Sequence, residues 1–424
     1  MIKKTLAITT GIMMGSTAFS ACPGGTKASP VNVDNKETCI LKGSYRMDMV
    51  LDNEKVWVLA GGVFIGGDND QQATLTIQPG TKIVGQSGAD FLVVNRGSKI
   101  FAEGTKESPI VFTSSKAPGK RNRGDWGGLI INGNAPINGC GQTALCEAEG
   151  EGNTGKYGGS DPVDSSGVLK YVRVEFAGNE ISPDNELNGI AFQGVGSGTT
   201  VDYIQVHMNA DDGVEFFGGT VNAKHVLLTG NRDDSLDWVR GWQGKMQYVI
   251  VDQFDDQANN GIEADNLKSP QDASPRSNPM ISNMTLIGTT GAEAKGGSGL
   301  LLRRGTGLVL MNTAITGFKN SCIDIDDAAT FPHVQITSTV VDCETNFTIE
   351  EGDVFNTAEW FNDVDNNLEA KIALQGYAPD TLSVLLSIDP TVPFDYFFDE
   401  VDFAGAIKSA DSDWTKEWTI SSRN

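Results

Sequence analysis

The sequence has few of the features that mark common enzyme and membrane-protein classes. Only three histidines occur among its 424 residues, with no Ser-His-Asp arrangement, nucleophile elbow, Walker A motif or dinucleotide-binding fingerprint. The six cysteines have no zinc-site spacing. After the first 21 residues, no stretch approaches the ~18 uninterrupted apolar residues of a transmembrane helix. The sequence therefore predicts no membrane-spanning helix and offers no ready nucleophile or nucleotide site.

Basic residues are scarce relative to acidic ones. There are 32 Lys and Arg against 55 Asp and Glu, which gives a formal net charge of −23. Such a field repels phosphate backbones, so the composition argues against nucleic-acid binding. It is compatible with cation binding, and also with nothing more than solubility in salty water. Glycine accounts for 50 of the 424 residues, which suits a fold with many turns.

Residues 1–21 have the pattern of an export signal. Lys3 and Lys4 precede a short apolar stretch, and Ala18-Phe19-Ser20 supplies a cleavage site of the A-x-small type. The residues just before Cys22 also resemble a lipobox, although Phe19 is a poor first residue for one. The sequence therefore predicts a secreted, extracellular protein, with an outer-membrane lipoprotein anchored at Cys22 as the alternative.

The cysteines fall into three close pairs along the chain. Lipidation of Cys22 would leave Cys39 unpaired in an oxidising compartment, so even pairing favours soluble secretion. We therefore predict three local disulfides: Cys22–Cys39, Cys140–Cys146 and Cys322–Cys343.

An internal repeat of 22 residues organises the middle of the chain. The segment 202–216 (DYIQVHMNADDGVEF) aligns with 224–238 (KHVLLTGNRDDSLDW). An Asp-Asp doublet occupies the same position in both, and a further step of 22 reaches Asp255-Asp256. Four extra residues then intervene before the pattern resumes at Gly261. Such a fixed period is typical of solenoid proteins.

Short alternating apolar runs recur about every 20–25 residues, and no helical period of 3.6 is sustained. Strands without intervening helices cannot build a βαβ sheet, but they can coil so that each turn buries its inward side chains on its neighbours. The pattern predicts an all-β parallel β-helix, with an antiparallel β-sandwich as the alternative that would lack the fixed period.

Several segments resemble a family of exported bacterial right-handed β-helix proteins, common in marine proteobacteria and Bacteroidetes and often described only as secreted proteins or lipoproteins. The matching segments are TLTIQPGTKI near residue 74, LKYVRVEFAG (Leu169–Gly178), NADDGVEFFGGTVNAKHV (Asn209–Val226), SGLLLRRGTG (Ser298–Gly307) and SCIDIDD (Ser321–Asp327). The resemblance implies a right-handed parallel β-helix and export. It implies no established activity.

The expected organisation has four parts. They are a signal peptide (1–21), an N-terminal lead-in or cap (22–44), the β-helix (45–355) and a C-terminal cap (356–424). The last part is assigned as a cap because it loses the repeat, and a solenoid must cover its last exposed turn. Gly139–Asp164 is a long Gly-rich loop, of the kind that often carries recognition on a rigid scaffold.

Strand alternation predicts a column of carboxylates on the outer surface. If Val214, Leu236 and Ile262 point inward, the residues that follow them point outward on neighbouring turns, ~4.8 Å apart. Like charges at that distance raise one another's pKa or recruit a cation, and oxygen ligands favour Ca²⁺. The predicted Ca²⁺ ligands are Asp211, Asp212, Glu215, Asp233, Asp234, Asp237, Asp255, Asp256, Glu263 and Asp265.

Two other interpretations of these acids stay open. The doublets could simply form turns by bonding their own backbone. The chain could instead be a polysaccharide hydrolase or lyase, since carboxylates one or two turns apart approach glycosidase spacings. The catalytic candidates are then Glu215, Asp237, Glu263 and Arg303. Alignment of Gly261–Asp265 with Gly299–Arg303 places Arg303 beside Asp265, where it more simply forms an ion pair.

Some β-helix polygalacturonases resemble this layout of acids, but their Gly-His-Gly segment is missing here. Trp238 and Trp242 beside the column could stack on sugar rings, or pack beneath a loop. With no matching base, nucleophile or His relay, the sequence favours a non-enzymatic extracellular or cell-surface protein. Its expected partner is a polysaccharide or another surface protein, bound beside a Ca²⁺-holding acidic face.

Overall fold

The computed structural model describes residues 22–141, 145–182, 185–350, 354–393 and 395–421. The predicted signal peptide lies outside the described residues. Within these ranges the structure is almost entirely β, with one six-residue α-helix, α1 (Thr357–Asn362), and four short 3₁₀ helices at Glu151–Asn153, Phe331–His333, Val384–Ser387 and Ala410–Ser412. Among the described residues, no helix combines the length and apolar character needed to span a bilayer.

The strands of the first half are β1 (Lys27–Ala28), β2 (Thr38–Tyr45), β3 (Met49–Leu51), β4 (Val56–Ile65), β5 (Thr74–Ile77), β6 (Lys82–Gly85), β7 (Phe91–Val94), β8 (Lys99–Glu103), β9 (Ile110–Ser114), β10 (Gly128–Asn132), β11 (Ala148–Glu149), β12 (Lys156–Tyr157), β13 (Gly167–Glu175), β14 (Asn179–Ser182), β15 (Asn185–Leu187) and β16 (Ile190–Gln193).

The strands of the second half are β17 (Thr200–His207), β18 (Val214–Phe217), β19 (Asn222–Thr229), β20 (Leu236–Val239), β21 (Lys245–Asp252), β22 (Ile262–Asp265), β23 (Met280–Ile287), β24 (Leu300–Arg303), β25 (Leu308–Thr316), β26 (Ile323–Ile325), β27 (Val334–Asp342), β28 (Leu368–Glu369), β29 (Leu374–Gln375) and β30 (Ala378–Pro379).

Parallel pairing between successive turns confirms the parallel β-helix. One stack contains the short strands β7, β10, β16, β18, β20, β22, β24 and β26. The other contains the long strands β13, β17, β19, β21, β23, β25 and β27. From β10 to β27, each turn of the solenoid contributes one strand to each stack, which explains the repeat found in the sequence.

Each long strand bends at one residue with positive φ. These corner residues are Tyr171, Tyr203, His225, Tyr248, Asn283, Asn312 and Ser338, with φ between 48° and 63°. The left-handed conformation is uncommon for residues with a side chain, so its recurrence at one level of the solenoid marks a regular corner. The first four side chains stack on one another along the outer surface, with Tyr203 and His225 rings 4.1 Å apart.

The interior is a continuous apolar core, as the strand alternation predicts. Val214, Leu236 and Ile262 are fully buried in successive turns of the short-strand stack. Phe216 stacks on Phe192 of the preceding turn, with ring centroids 5.2 Å apart. At ~25 cal/mol per Å² of buried apolar surface, such ladders provide the main stabilisation of the solenoid.

All six cysteines form the pairs predicted from their spacing: Cys22–Cys39, Cys140–Cys146 and Cys322–Cys343. The first joins the start of the described chain to β2, and the last lies beside the final turns.

The C-terminal region has two parts. Helix α1 lies at the end of the solenoid, where the buried Phe361 joins the main core and contacts Phe347. Residues 374–393 and 395–421, which we call the C-terminal strap, then run back along the outside of the long-strand stack. Ser338 contacts Asp389 near the start of the strap, and Gln205 contacts Ile420 near its end. The strap therefore crosses many turns of the solenoid.

Candidate functional site

The predicted carboxylate column is present on the short-strand stack. In the parallel register, Glu215 of β18 pairs with Asp237 of β20, which in turn pairs with Glu263 of β22. Their neighbours Val214, Leu236 and Ile262 point into the core. Local alternation and the repeat therefore predicted this alignment correctly.

A second set of carboxylates lies on the turns that precede β18 and β20. These are Asp211 and Asp212 before β18, and Asp233 and Asp234 before β20. Asp212 and Asp234 are buried, with 8% and 5% of their surface exposed. Three groups of acids have oxygens within 4.8 Å of one another: Asp211 with Asp212 and Asp233, Asp212 with Glu215 and Asp237, and Asp234 with Asp237 and Glu263.

The prediction that Asp255 and Asp256 continue this set is wrong. From Val214 to Leu236 the offset is 22 residues, but from Leu236 to Ile262 it is 26. The extra residues loop out before the turn, so Asn259 and Asn260 occupy the doublet position instead. Asn260 donates its backbone N–H to Oδ1 of Asp234 at 2.7 Å. Asp256 forms an ion pair with Arg123, 2.9 Å away.

The suggested sugar-stacking role of Trp238 and Trp242 is also wrong, because both side chains are completely buried. Trp238 follows the outward-facing Asp237 on β20, so alternation turns it into the core, where Nε1 donates to Thr306 Oγ1 at 3.0 Å. Trp242 stacks on Phe216 with ring centroids 3.9 Å apart. Both rings belong to the core rather than to a binding surface.

Arginines close the column at its C-terminal end. Arg303 of β24 pairs with Asp265, as its sequence alignment predicted, with Nε 2.9 Å from Oδ1. The same guanidinium also contacts Glu263. Arg304 provides a second partner for Asp265 at 2.6 Å. On β24 the outward position after Glu263 is Leu301, which interrupts the run of acids before Asp324 occupies the same position on β26.

Apolar residues occupy the equivalent outward positions toward the N-terminus. Val93, Ile130 and Ala191 precede Glu215 in the same register and are buried. The Gly-rich loop covers them with Tyr157, and the β14–β15 hairpin contributes Leu187 to the same cluster. The first acid of the column, Glu215, lies on the strand that follows this covered segment.

Two acids that the sequence analysis did not identify come from these covering elements. Glu151 lies in the short helix Glu151–Asn153 of the Gly-rich loop, and Glu186 lies on β15. Both line the same cleft as the column. The loop itself was recognised from its glycines, but nothing in its local sequence shows which of its acids would face the solenoid.

Together these residues form an acidic cleft with a volume of about 390 Å³. Its lining residues are Glu151, Glu186, Asp211, Asp212, Glu215, Phe217, Asp233, Asp234, Asp237, Val239, Asn259, Glu263, Asp265 and Arg304. Asp255, Asp256 and Arg303 are not among them.

Burial and mutual repulsion raise the pKa of the cleft acids. Burial, followed by the charges of Glu186 and Asp233, raises the pKa of Asp211 to about 8. Burial and Glu186 raise the pKa of Glu151 to about 7. The pKa values of Asp212, Glu215, Asp234, Asp237 and Glu263 are raised for the same reason, burial first and neighbouring acids next, except that Arg303 opposes the rise at Glu263.

Positive charge is sparse among these acids. Within the described chain, Asp211, Asp212, Glu215, Asp234 and Asp237 form no ion pair with Lys or Arg, while Asp233 pairs with Lys295 at 3.2 Å. Asn188 donates from Nδ2 to Glu215 at 2.6 Å. A group of crowded carboxylate oxygens is the donor set that calcium prefers, and the raised pKa values express the cost of leaving it unneutralised.

The fold and the cleft define this protein as a parallel β-helix with an acidic outer groove on one sheet. The sequence model of the pectate-lyase-like β-helix domain matches residues 43–419, and the chain therefore belongs to that family. Neither a search of curated proteins nor a search of solved structures found a match. The family assigns the β-helix fold and leaves the activity of this chain to be argued from its residues.

Proposed function

We propose that this protein is an exported, non-enzymatic β-helix protein that binds Ca²⁺ in its acidic cleft and a polysaccharide beside it. The observation that carries the proposal is the column Glu215–Asp237–Glu263, which is open to the cleft. Among the residues that the structure describes, its first two members have no cationic partner, whereas Glu263 contacts Arg303. Bound cations would relieve the repulsion among these acids and offer coordination positions to the oxygens of a glycan.

Export is part of the same proposal. The N-terminal pattern of the sequence and three disulfides suit an oxidising extracellular environment. The Cys22 thiol is engaged with Cys39, which supports soluble secretion over a lipid anchor at Cys22. Mass spectrometry of the protein from its native source distinguishes these forms, since an acylated Cys22 would leave Cys39 as a free thiol.

Thermal melting with and without EDTA tests calcium binding. A ligand that binds only the folded protein stabilises it by RT ln(1 + [L]/Kd), ~2.7 kcal/mol at a hundredfold excess over Kd. We expect calcium to raise the melting temperature and magnesium to raise it less, because magnesium demands a more rigid octahedral site. A melting temperature indifferent to calcium would refute the calcium proposal.

The second candidate function is cleavage of a polysaccharide. Glu151 and Asp211 favour it, since acids with pKa near neutrality can donate protons at neutral pH. A screen of acidic and neutral polysaccharides should detect calcium-dependent binding without release of sugars. If the protein releases reducing or unsaturated sugars and Asp237→Asn or Glu215→Gln abolishes the release, the protein is an enzyme and the non-enzymatic proposal is wrong.

A further inference from the structure

Two of the carboxylate groups in the cleft are copies of one another, displaced by one turn of the solenoid. We call Asp212, Glu215 and Asp237 the upper triad, and Asp234, Asp237 and Glu263 the lower triad; in each, the candidate ligand oxygens lie within 4.8 Å. In the parallel register Glu215 is followed by Asp237, and Asp237 by Glu263. Asp237 therefore belongs to both triads.

From this arrangement we infer that the cleft holds a pair of calcium ions bridged by the carboxylate of Asp237. The inference rests on the proposed calcium binding and adds the number and arrangement of the ions. Asp237 has no hydrogen-bond or ion-pair partner for its carboxylate in the described chain. Carboxylates can bind calcium through one or both oxygens, so one carboxylate between two triads can serve both ions.

A buried amide gives an independent indication of a ligand. Asn188 is 2% exposed and directs its side chain into the upper triad, where Nδ2 lies 2.6 Å from Glu215 Oε2. Its Oδ1 is buried and has no hydrogen-bond partner among the described residues. An unsatisfied buried carbonyl oxygen is costly, and Asn carbonyl oxygens are ordinary calcium ligands. A cation beside Glu215 would satisfy it.

The ends of the column limit the triads that share a column carboxylate to two. In the register before Glu215 the outward residue is Ala191, and in the register after Glu263 it is Leu301. Neither can supply an oxygen from its side chain. At the lower end Arg303 also contacts Glu263, so the lower ion competes with a guanidinium. We therefore expect the lower site to bind calcium more weakly than the upper.

Calcium titration calorimetry and native mass spectrometry on the purified full chain test the arrangement. Relative to the unmodified protein, Asp237→Asn should weaken binding of two equivalents of calcium by at least tenfold. Glu263→Gln should reduce the affinity for only one equivalent of calcium, the one that the unmodified protein binds less tightly. Asp402→Asn is the matched control, since Asp402 is an exposed carboxylate paired with Lys408 outside the cleft. Circular dichroism verifies that each variant is folded.

The outcomes separate this inference from the proposed function. If Asp237→Asn loses one equivalent, or Glu263→Gln loses the same two as Asp237→Asn, the bridged pair is wrong although calcium still binds. If the unmodified protein binds no calcium, the proposed function fails and the inference fails with it.

Discussion

The backbone N–H of Asp234 donates to Oδ1 of Asp212, 2.9 Å away on the preceding turn. The contact joins two turns, so the Asp212 carboxylate does not bond the backbone of its own turn here, as the sequence analysis had considered for the doublets. Asp212 also belongs to two of the three acidic groups in the cleft. The contact therefore fixes the position of a carboxylate that we propose as a cation ligand.

The raised pKa values predict how stability depends on pH. Unfolded Asp and Glu titrate near pH 4, whereas burial and like charges raise the pKa of Asp211 to about 8 and that of Glu151 to about 7. Between about pH 4 and pH 8, the native protein therefore binds more protons than the unfolded chain. The free energy of unfolding in EDTA should therefore fall as pH rises from about 4 to 8.

Urea unfolding at pH 5, 6, 7 and 8 measures this dependence, and saturating calcium should reduce or reverse it because the ions replace the protons. Asp211→Asn should flatten the slope between pH 6 and 8. Asp402→Asn should leave it unchanged, because Lys408 lowers the pKa of Asp402. Stability in EDTA that stays constant or rises over this range would contradict the assigned shifts.

Removal of Arg303 should make the protein more dependent on calcium. In Arg303→Met, Glu263 and Asp265 lose a shared cationic partner, while the long side chain keeps much of its packing. Leaving partly buried carboxylates without that partner should cost about 1–3 kcal/mol in EDTA. Calcium should restore most of the loss and bind the lower triad more tightly. Chemical unfolding with and without calcium measures both effects, and equal destabilisation in the two conditions would disprove the competition.

Trp238 should matter for stability and not for ligand contact. Trp238→Ala removes a fully buried ring and its hydrogen bond to Thr306, so we expect a loss of about 3–5 kcal/mol. Any polysaccharide that the folded protein binds should still be bound by the folded variant with similar affinity. Reduced affinity with unchanged stability would restore the sugar-stacking interpretation.

Removal of the Gln205 side-chain amide should release the last residues of the C-terminal strap from the solenoid. Gln205 is fully buried and makes two hydrogen bonds to the backbone of Ile420, at 2.7 and 2.9 Å. Gln205→Ala leaves those backbone groups without their partner and should expose the end of the strap to protease. Limited proteolysis with mass spectrometry measures this. Gln243→Ala, which removes one exposed hydrogen bond to Arg276, is the control and should leave the cleavage pattern unchanged.

The sequence by itself determined the solenoid and the core of its candidate site. Alternation within a strand depends only on neighbouring residues, and the repeat depends only on the number of residues per turn. Together they placed Glu215, Asp237 and Glu263 in one column. The disulfides followed for a similar reason, because each joins cysteines close in the chain.

Tertiary structure decided everything that depends on where the chain departs from the repeat. Spacing alone cannot show whether four extra residues loop out before or after a turn. The hydrogen bond from the backbone of Asn260 to Asp234 shows that Asn260, and not Asp256, follows Asp234 on the next turn. Glu151 reaches the cleft only because a long loop folds over apolar strands, and the strap reaches Gln205 across 215 residues of sequence. Such contacts join segments distant in the chain, so their geometry is fixed by packing and not by local pattern.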